Sequence, residues 1–224
     1  MDREYLEKTR MNNKLPVARE GIPFILSSLV ITVISLLLKF LFPGLFFALL
    51  TVFIIYFFRD PDRFKETREN ELLSPADGTV INLWNLDAAK NPLGEEAVKI
   101  SIFMSVFNVH VNRIPISGEI LDINYHSGKF FSANLDKASE ENENNVITLK
   151  TLNDKKIVFT QIAGLIARRI VCWINVNDSV RAGQRFGMIR FGSRLDVYIP
   201  AGSDVTVKPG TKVRAGETTL GYLK

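Results

Sequence analysis

Two uncharged, apolar runs near the start of the chain constrain its fold more than any other feature. The first spans residues 22–38 and the second residues 45–58, and Lys39 and the turn-forming stretch 40–44 (FLFPG) lie between them. Apolar runs of this length predict helices, and the turn residues between them predict a helical hairpin. Nothing later in the chain is apolar enough to bury both helices on all sides.

The lengths of the two runs limit how such a hairpin meets a membrane. At about 1.5 Å per residue the helices would measure roughly 25 and 21 Å, short of the ~30 Å hydrocarbon core. A shallow or re-entrant hairpin, two short spanning helices and a buried hairpin of a soluble fold are the three alternatives. Lys and Arg residues lie on both flanks, within 3–19 and 59–68. The positive-inside rule therefore predicts the cytoplasmic face of the cell membrane.

Composition excludes several classes of function. The 224 residues carry a net charge of +4, which suits an anionic lipid surface but is too weak to indicate nucleic-acid binding. Cys172 is the only cysteine, so no internal disulfide can form. No metal site is expected, because the only two histidines, His110 and His126, do not have a ligand spacing with that cysteine.

Residues 70–224 have a different pattern. Short runs rich in Val, Ile, Phe and Thr, such as 79–83, 98–103 and 157–161, alternate with Gly, Pro, Asn and Asp. These runs predict β-strands, and the lack of a long helical pattern predicts a sandwich or barrel. We therefore expect three segments: a polar lead-in over 1–20, a hydrophobic membrane-associating hairpin over 21–60, and a β domain over 70–224.

An internal repeat near the C-terminus refines the fold class. Residues 180–187 (VRAGQRFG) recur as residues 213–221 (VRAGETTLG). Both copies resemble the hammerhead turns of biotinyl/lipoyl-like barrel-sandwich domains, and residues 74–80 resemble the opening strand of that fold. The resemblance implies a mainly β, barrel-sandwich domain preceded by the N-terminal hydrophobic helical hairpin.

The dipeptide Gly192-Ser193 lies between the two repeat copies. Its structural interpretation is a β-strand that continues through residues 194–200. Its chemical interpretation is self-cleavage, because glycine tolerates the backbone conformation that exposes its carbonyl to the Ser193 hydroxyl. The resulting N→O acyl shift gives an ester. Elimination from that ester leaves dehydroalanine, which hydrolyses to an N-terminal pyruvoyl group with loss of ammonia.

Four further residues are candidates for the same site, and each has a structural alternative. Any imidazole that moves protons near pH 7 must be His110 or His126, which would otherwise be ordinary strand or loop residues. Asp77 would orient a histidine, or would bond to backbone in its own Pro-Ala-Asp-Gly turn. Lys129, in the loop after His126, would stand at the mouth of the site.

The residues around Ser193 (191–200, FGSRLDVYIP) resemble the self-processing site of the short, archaeal-type phosphatidylserine decarboxylases. The paired apolar runs and four further stretches resemble the same family in the same order: 74–80, 107–115, 125–134 and 161–170. The resemblance maps the family's processing triad to Asp77, His110 and Ser193. One departure is that longer members have a His-x-x-His-x-Pro segment, in which Arg113 takes the second histidine's place here.

The resemblance also implies the reaction. Cleavage after Gly192 would give a β chain (1–192) and an α chain (193–224) headed by pyruvoyl, held together as a heterodimer. The pyruvoyl cofactor would take up the amine of phosphatidylserine, CO₂ would leave, and His110 would return a proton to give phosphatidylethanolamine. The chain's partners would be this lipid and the membrane, and any higher oligomer is left open.

Two alternatives to that reaction stay open. The ether lipid archaetidylserine carries the same headgroup, so an enzyme that reads the headgroup would also decarboxylate it. In a different class, a membrane-anchored barrel-sandwich adaptor or carrier would remain uncut. Residues 135–139 (LDKAS) resemble an Asp-Lys-Ala lipoylation hairpin, although an acidic loop follows Lys137 where a carrier has a strand.

Overall fold

The computed structural model describes residues 15–128, 142–164, 169–190 and 193–224. The chain divides into two compact units, residues 1–62 and 63–224. The first unit contains two α-helices, and the second contains the β-strands of the described residues.

Two antiparallel helices, α1 (Ile22–Leu37) and α2 (Leu41–Phe57), form the first unit. The short turn between them is made possible by Lys39, which adopts a positive φ of 62°. The turn predicted over residues 40–44 is wrong, because α2 begins at Leu41, and Pro43 and Gly44 lie in its first turn. Proline is tolerated there because the N–H that it lacks would have no partner within the helix.

The two helices bury small polar side chains and expose apolar ones. Ser28, Thr32 and Thr51 are buried, and Thr51 Oγ1 donates to Ser28 Oγ across the pair at 2.8 Å. Most Leu, Ile, Val and Phe side chains of both helices are exposed instead. This is the reverse of a soluble helix pair. The 19 residues Arg19–Leu37, with a mean hydropathy of 2.0, are long and apolar enough to cross a membrane, and Leu41–Phe57 is a shorter apolar helix.

Short β-strands build the second unit, as the runs of β-branched and aromatic residues predict. Their bounds are β1 (Glu71–Leu73), β2 (Gly78–Leu86), β3 (Ala97–Met104), β4 (Val111–Arg113), β5 (Gly118–His126), β6 (Asn144–Thr151), β7 (Lys156–Ile162), β8 (Ile170–Cys172), β9 (Ser179–Val180), β10 (Arg185–Ile189), β11 (Ser193–Pro200), β12 (Asp204–Val205), β13 (Lys212–Val213) and β14 (Thr219–Tyr222).

The strands pair antiparallel in three sheets. The largest has eight strands in the order β13-β2-β3-β11-β7-β6-β5-β9, and two three-stranded sheets have the orders β1-β14-β12 and β4-β10-β8. β11 lies in the interior of the large sheet, with eight residue pairs to β3 and five to β7. The strand that begins at Ser193 is therefore held on both sides.

Matching edges of the large sheet explain the internal repeat of the sequence. β9 pairs Val180 with Gly118 at one edge, and β13 pairs Val213 with Gly78 at the other. Gly118 and Gly78 are required at these pairings, because a Cβ on either residue would lie 2.1 Å from a carbonyl oxygen of the adjacent strand. Each repeat copy thus supplies one edge strand, and β11 lies between the two edges.

The apolar core lies on one face of the central strands. Along β11, Leu195, Val197 and Ile199 belong to this core, whereas Arg194 and Asp196 alternate to the opposite face. The prediction of a mainly β fold that follows an N-terminal helix pair is confirmed.

Candidate active site

Ser193 is fully buried at the first position of β11. It pairs with Met104 on β3, and its hydroxyl donates to the Met104 sulfur at 3.5 Å. Because side chains alternate along a strand, Ser193 shares the core-facing side with Leu195. A thioether is a weak acceptor, so the contact orients the hydroxyl without tying it to a strong partner.

His110 is also fully buried, directly before β4. Its Nδ1 lies 3.0 Å from the carbonyl oxygen of Asn108. A carbonyl only accepts, so a neutral His110 has its proton on Nδ1 and its lone pair on Nε2, the form that a general base requires. The Ile189 N–H donates to the His110 carbonyl at 3.4 Å. This bond places the histidine beside the chain four residues before Ser193.

A chain of buried amide side chains runs toward the same serine. Asn145 Nδ2 donates to Gln161 Oε1 at 3.1 Å, and Gln161 Nε2 donates to Asn112 Oδ1 at 2.9 Å. Asn112 Nδ2 lies 3.7 Å from the Met104 sulfur that accepts from Ser193. All five side chains are at most 2% exposed. Hydrogen bonds in such surroundings are shielded from competition with water.

Asp77 anchors a turn of the C-terminal repeat. Both of its carboxylate oxygens accept from the Arg63 guanidinium, and one also accepts from the Ala215 N–H at 2.8 Å. Within the described residues these are its partners, and the structure does not bring it to His110. Ser117 is its counterpart in the other half of the sheet, where its hydroxyl accepts from the Ala182 N–H at 3.0 Å.

Arg113 holds the two repeat copies together. It is buried, and its Nη1 donates to the Gly183 carbonyl of the first copy at 2.8 Å. Its side chain also packs on the second copy, since a Cβ on Gly216 would lie 2.8 Å from Arg113 Cδ. These contacts give Arg113 a packing role between the two repeat copies.

A buried ionic cluster on the opposite face of β11 has no counterpart among the predicted site residues. Arg194 donates to both carboxylate oxygens of Asp196, at 2.6 and 2.7 Å. Lys99 Nζ lies 3.1 Å from the same carboxylate. The available signal in the sequence was two charged residues at alternate positions of an otherwise apolar strand.

The remaining predicted residues lie apart from the buried pair or outside the described residues. His126 ends β5 and is exposed, so the structure does not bring it into the site of Ser193 and His110. Gly192, Lys129 and Lys137 lie outside the described residues.

Comparison with known proteins decides the family. The profile of the family described as phosphatidylserine decarboxylase matches residues 50–221. The chain belongs to this family. It is 50% identical over 210 residues to the phosphatidylserine decarboxylase proenzyme of Desulfotalea psychrophila, which covers 94% of this chain and 98% of that relative. It is 49% identical over 212 residues to the proenzyme of Geotalea uraniireducens, covering 95% and 99%. The resemblance inferred from the ordered motifs is thereby confirmed.

Proposed function

We propose that this chain is a phosphatidylserine decarboxylase, which forms phosphatidylethanolamine and CO₂ after it has cut itself between Gly192 and Ser193. Membership of the family over nearly the full length supports the reaction. The structural observations that support the proposal are two: Ser193 is fully buried at the start of an interior strand, and the carbonyl of the buried His110 accepts from Ile189, four residues before Ser193. The chain would thus be a lyase of phospholipid biosynthesis that is made as a zymogen.

Self-cleavage requires a base for the Ser193 hydroxyl and an acid for the leaving nitrogen, and His110 supplies both. Nε2 takes the hydroxyl proton while Oγ attacks the Gly192 carbonyl carbon, and the peptide C–N bond breaks as the ester C–O bond forms. The proton then passes to the released nitrogen. Loss of the Cα proton of residue 193 expels the Gly192 carboxylate. Water finally replaces the nitrogen, which leaves as ammonia, and the pyruvoyl group remains.

The surroundings of Ser193 fit a pyruvoyl group. Its methyl would occupy the region of the serine Cβ, so the Met104 sulfur that now accepts from the hydroxyl would instead pack on an apolar group. A polarisable thioether suits both contacts. When formed, the pyruvoyl group supplies an electron sink for the electron pair that CO₂ leaves behind.

The protein's own residues have two tasks in decarboxylation. Complete burial at residue 193 limits the access of water to an electron-rich carbon. His110 in its protonated form donates a proton to the carbon that has lost CO₂, and it is positioned for this by the Asn108 carbonyl. One imidazole would therefore serve both self-cleavage and turnover.

The cleaved chains would remain together as a heterodimer. The α chain begins with β11, which is paired on both sides with strands of the β chain. Near its other end, Thr219 donates to Glu71 at 2.6 Å and accepts from Lys65 at 2.5 Å, both on the β chain. Separation would break two strand ladders and these buried bonds.

The helical hairpin would keep the enzyme at the membrane that contains its substrate. Its buried polar seam and exposed apolar side chains match a lipid environment. With basic residues on both flanks, the cytoplasmic face of the cell membrane is the proposed location.

The β unit is proposed to be a barrel-sandwich domain of the biotinyl/lipoyl-like type. The two matching edges formed by β9 and β13, each from one repeat copy, support this assignment. The carrier function of such domains is not favoured, because the family is one of decarboxylases.

Asp77 is the third member of the triad implied by the family resemblance. Since its carboxylate binds Arg63 and the Ala215 N–H, we propose that it supports cleavage indirectly, through the repeat turn that it anchors. Ser193 and His110 then carry the proton transfers, and Asp77 acts on them from a distance.

A lipid assay tests the proposed reaction. Purified full-length protein in vesicles of phosphatidylserine is expected to release CO₂ and form phosphatidylethanolamine, and Ser193→Ala is expected to do neither. Ser203→Ala is the matched control, because Ser203 lies on the same α chain and bonds only a turn carbonyl. Archaetidylserine vesicles test the alternative lipid. Absence of turnover on both lipids in the wild type would refute the proposal.

A further inference from the structure

We propose that Asn112 and Gln161 are positioning residues for self-cleavage: their amide–amide hydrogen bond holds His110 in register with Ser193. We refer to the two as the cross-sheet amide pair. The inference rests on the proposed function, since it assigns these residues to the cleavage step.

The pair connects the two sheets that carry the reacting residues. Gln161 lies on β7, where it pairs with Leu195 of β11, two residues from Ser193. Asn112 lies on β4 of a three-stranded sheet, two residues after His110. The 2.9 Å bond from Gln161 Nε2 to Asn112 Oδ1 therefore fixes the sheet of the base relative to the sheet of the nucleophile.

Gly187 leaves room for the amide pair, because it has no Cβ. Gly187 on β10 is the strand partner of Asn112, and a Cβ at this position would lie 3.0 Å from Gln161 Nε2. The long Gln161 side chain passes at this point from one sheet to the other. Backbone also limits residue 187, because the same Cβ would lie 2.3 Å from the Val171 carbonyl oxygen.

The hydrogen bonds run in one direction as far as the Met104 sulfur, which also accepts from the nucleophile. Asn145 donates to Gln161, Gln161 donates to Asn112, and the Asn112 NH₂ is thereby turned toward the Met104 sulfur. The same sulfur accepts from the Ser193 hydroxyl at 3.5 Å. The chain thus sets the orientation of the Asn112 side chain and, through Met104, the environment of the Ser193 hydroxyl.

Stability of the core does not by itself account for this arrangement. The β unit has an apolar core made mostly of Ile, Leu, Val and Phe side chains, and two apolar side chains of similar size would fill the space of the pair without burying amides. Two buried amides that bond across the sheets give instead a directional link, which apolar contacts lack. The proposed role requires His110 to be held at one distance and orientation relative to Ser193, and a directional link serves that requirement.

The test replaces both amides together. Asn112→Leu/Gln161→Met removes donor and acceptor at once, so that neither member of the pair is left unsatisfied by the other. Met104→Leu is a second variant of similar volume, which removes the sulfur between Asn112 and Ser193. Ser101→Ala is the control: Ser101 is a fully buried polar residue of β3 on the opposite face of the sheet, and among the described residues its hydroxyl has no hydrogen-bond partner.

The full chain is synthesised without cells in the presence of lipid vesicles, and the appearance of two fragments is followed on denaturing gels. The double variant leaves the buried Asn145 amide without its acceptor. We therefore expect it to stay folded, to melt several degrees below the wild type, and to cleave at least tenfold more slowly. Its residual rate should rise steadily with hydroxide concentration, whereas the wild-type rate should level off once His110 is neutral. Met104→Leu should slow cleavage in the same direction, and Ser101→Ala should cleave at the wild-type rate.

Cleavage of the folded double variant at the wild-type rate, with the wild-type pH profile, would overturn the inference and leave the proposed function intact. If the double variant does not fold, wild-type cleavage by Met104→Leu overturns it instead. A wild type that is never cleaved would refute the proposed function, and the inference with it.

Discussion

Glu71 joins the start of the β unit to its last strand through a buried ionic bond. Its carboxylate is 4% exposed. It accepts from Lys65 Nζ at 2.6 Å, from Thr219 Oγ1 at 2.6 Å and from the Arg68 N–H at 2.9 Å. Burial alone raises the pKa of Glu71, but these hydrogen bonds and the Lys65 charge outweigh it, and they lower the pKa from 4.5 to about 2.

The shift sets the size and the sign of the pH dependence. Lowering the pKa of Glu71 from 4.5 to about 2 corresponds to about 3.4 kcal/mol of folded-state stabilisation at pH 7. Because the folded pKa is depressed, this stabilisation is complete above the unfolded pKa and is lost as pH falls toward the folded value. At pH 3 about 1.4 kcal/mol would remain. Glu71→Gln should therefore lower stability by about 3 kcal/mol at pH 7 and by roughly 2 kcal/mol less at pH 3.

Urea unfolding in detergent measures this difference. The Ser193→Ala background keeps the chain in one piece, and Trp84 and Trp173, the only tryptophans, both report on the β unit. Asp154→Asn is the control, because it removes a fully exposed carboxylate that pairs with Lys150 and should change stability little at either pH. A Glu71→Gln effect that is the same at pH 7 and pH 3 would refute the reasoning.

Three further predictions concern other buried groups. Arg194→Met removes the bidentate partner of the buried Asp196 but leaves Lys99 beside it, and should cost about 1.5–3 kcal/mol in urea unfolding; a loss below about 0.5 kcal/mol would contradict the buried ion pair. Asp77→Asn should lower the urea midpoint and leave cleavage within about tenfold of the wild type, whereas a loss of several orders of magnitude on gels would indicate direct support of His110. Burial raises the pKa of the Cys172 thiol, so iodoacetamide at pH 8 should label the native protein more slowly than the urea-unfolded one by mass spectrometry; equal rates would argue against that burial.

Local patterns were sufficient to predict the elements of the fold. Two runs without charge gave the helix pair, although helix α2 starts at Leu41 because proline is compatible with a first helical turn. Short β-branched runs gave the strands, and the repeat of residues 180–187 at 213–221 corresponds to the two edges of the large sheet. Ser193 could be predicted from its Gly-Ser dipeptide and the residues around it. His110 could be predicted because the chain has only two histidines that could transfer protons near neutral pH.

Contacts that depend on the pairing of distant strands were not predictable from the same patterns. Gln161 and Asn112 are 49 positions apart and meet only because two separate sheets pack together. The bond of Asp77 to Ala215 spans 138 positions and is visible only once the repeat copies have become sheet edges. For that reason Asp77, which the resemblance implies beside His110, is found anchoring a turn instead.

Self-cleavage at Ser193 is the central claim, and the intact mass of the purified protein tests it most directly. The wild type should give two chains, residues 1–192 and a 32-residue chain from position 193 to 224 whose first residue has the mass of pyruvoyl in place of serine. Ser193→Ala should give one uncut chain. A wild type that is a single unmodified chain of 224 residues would contradict the account.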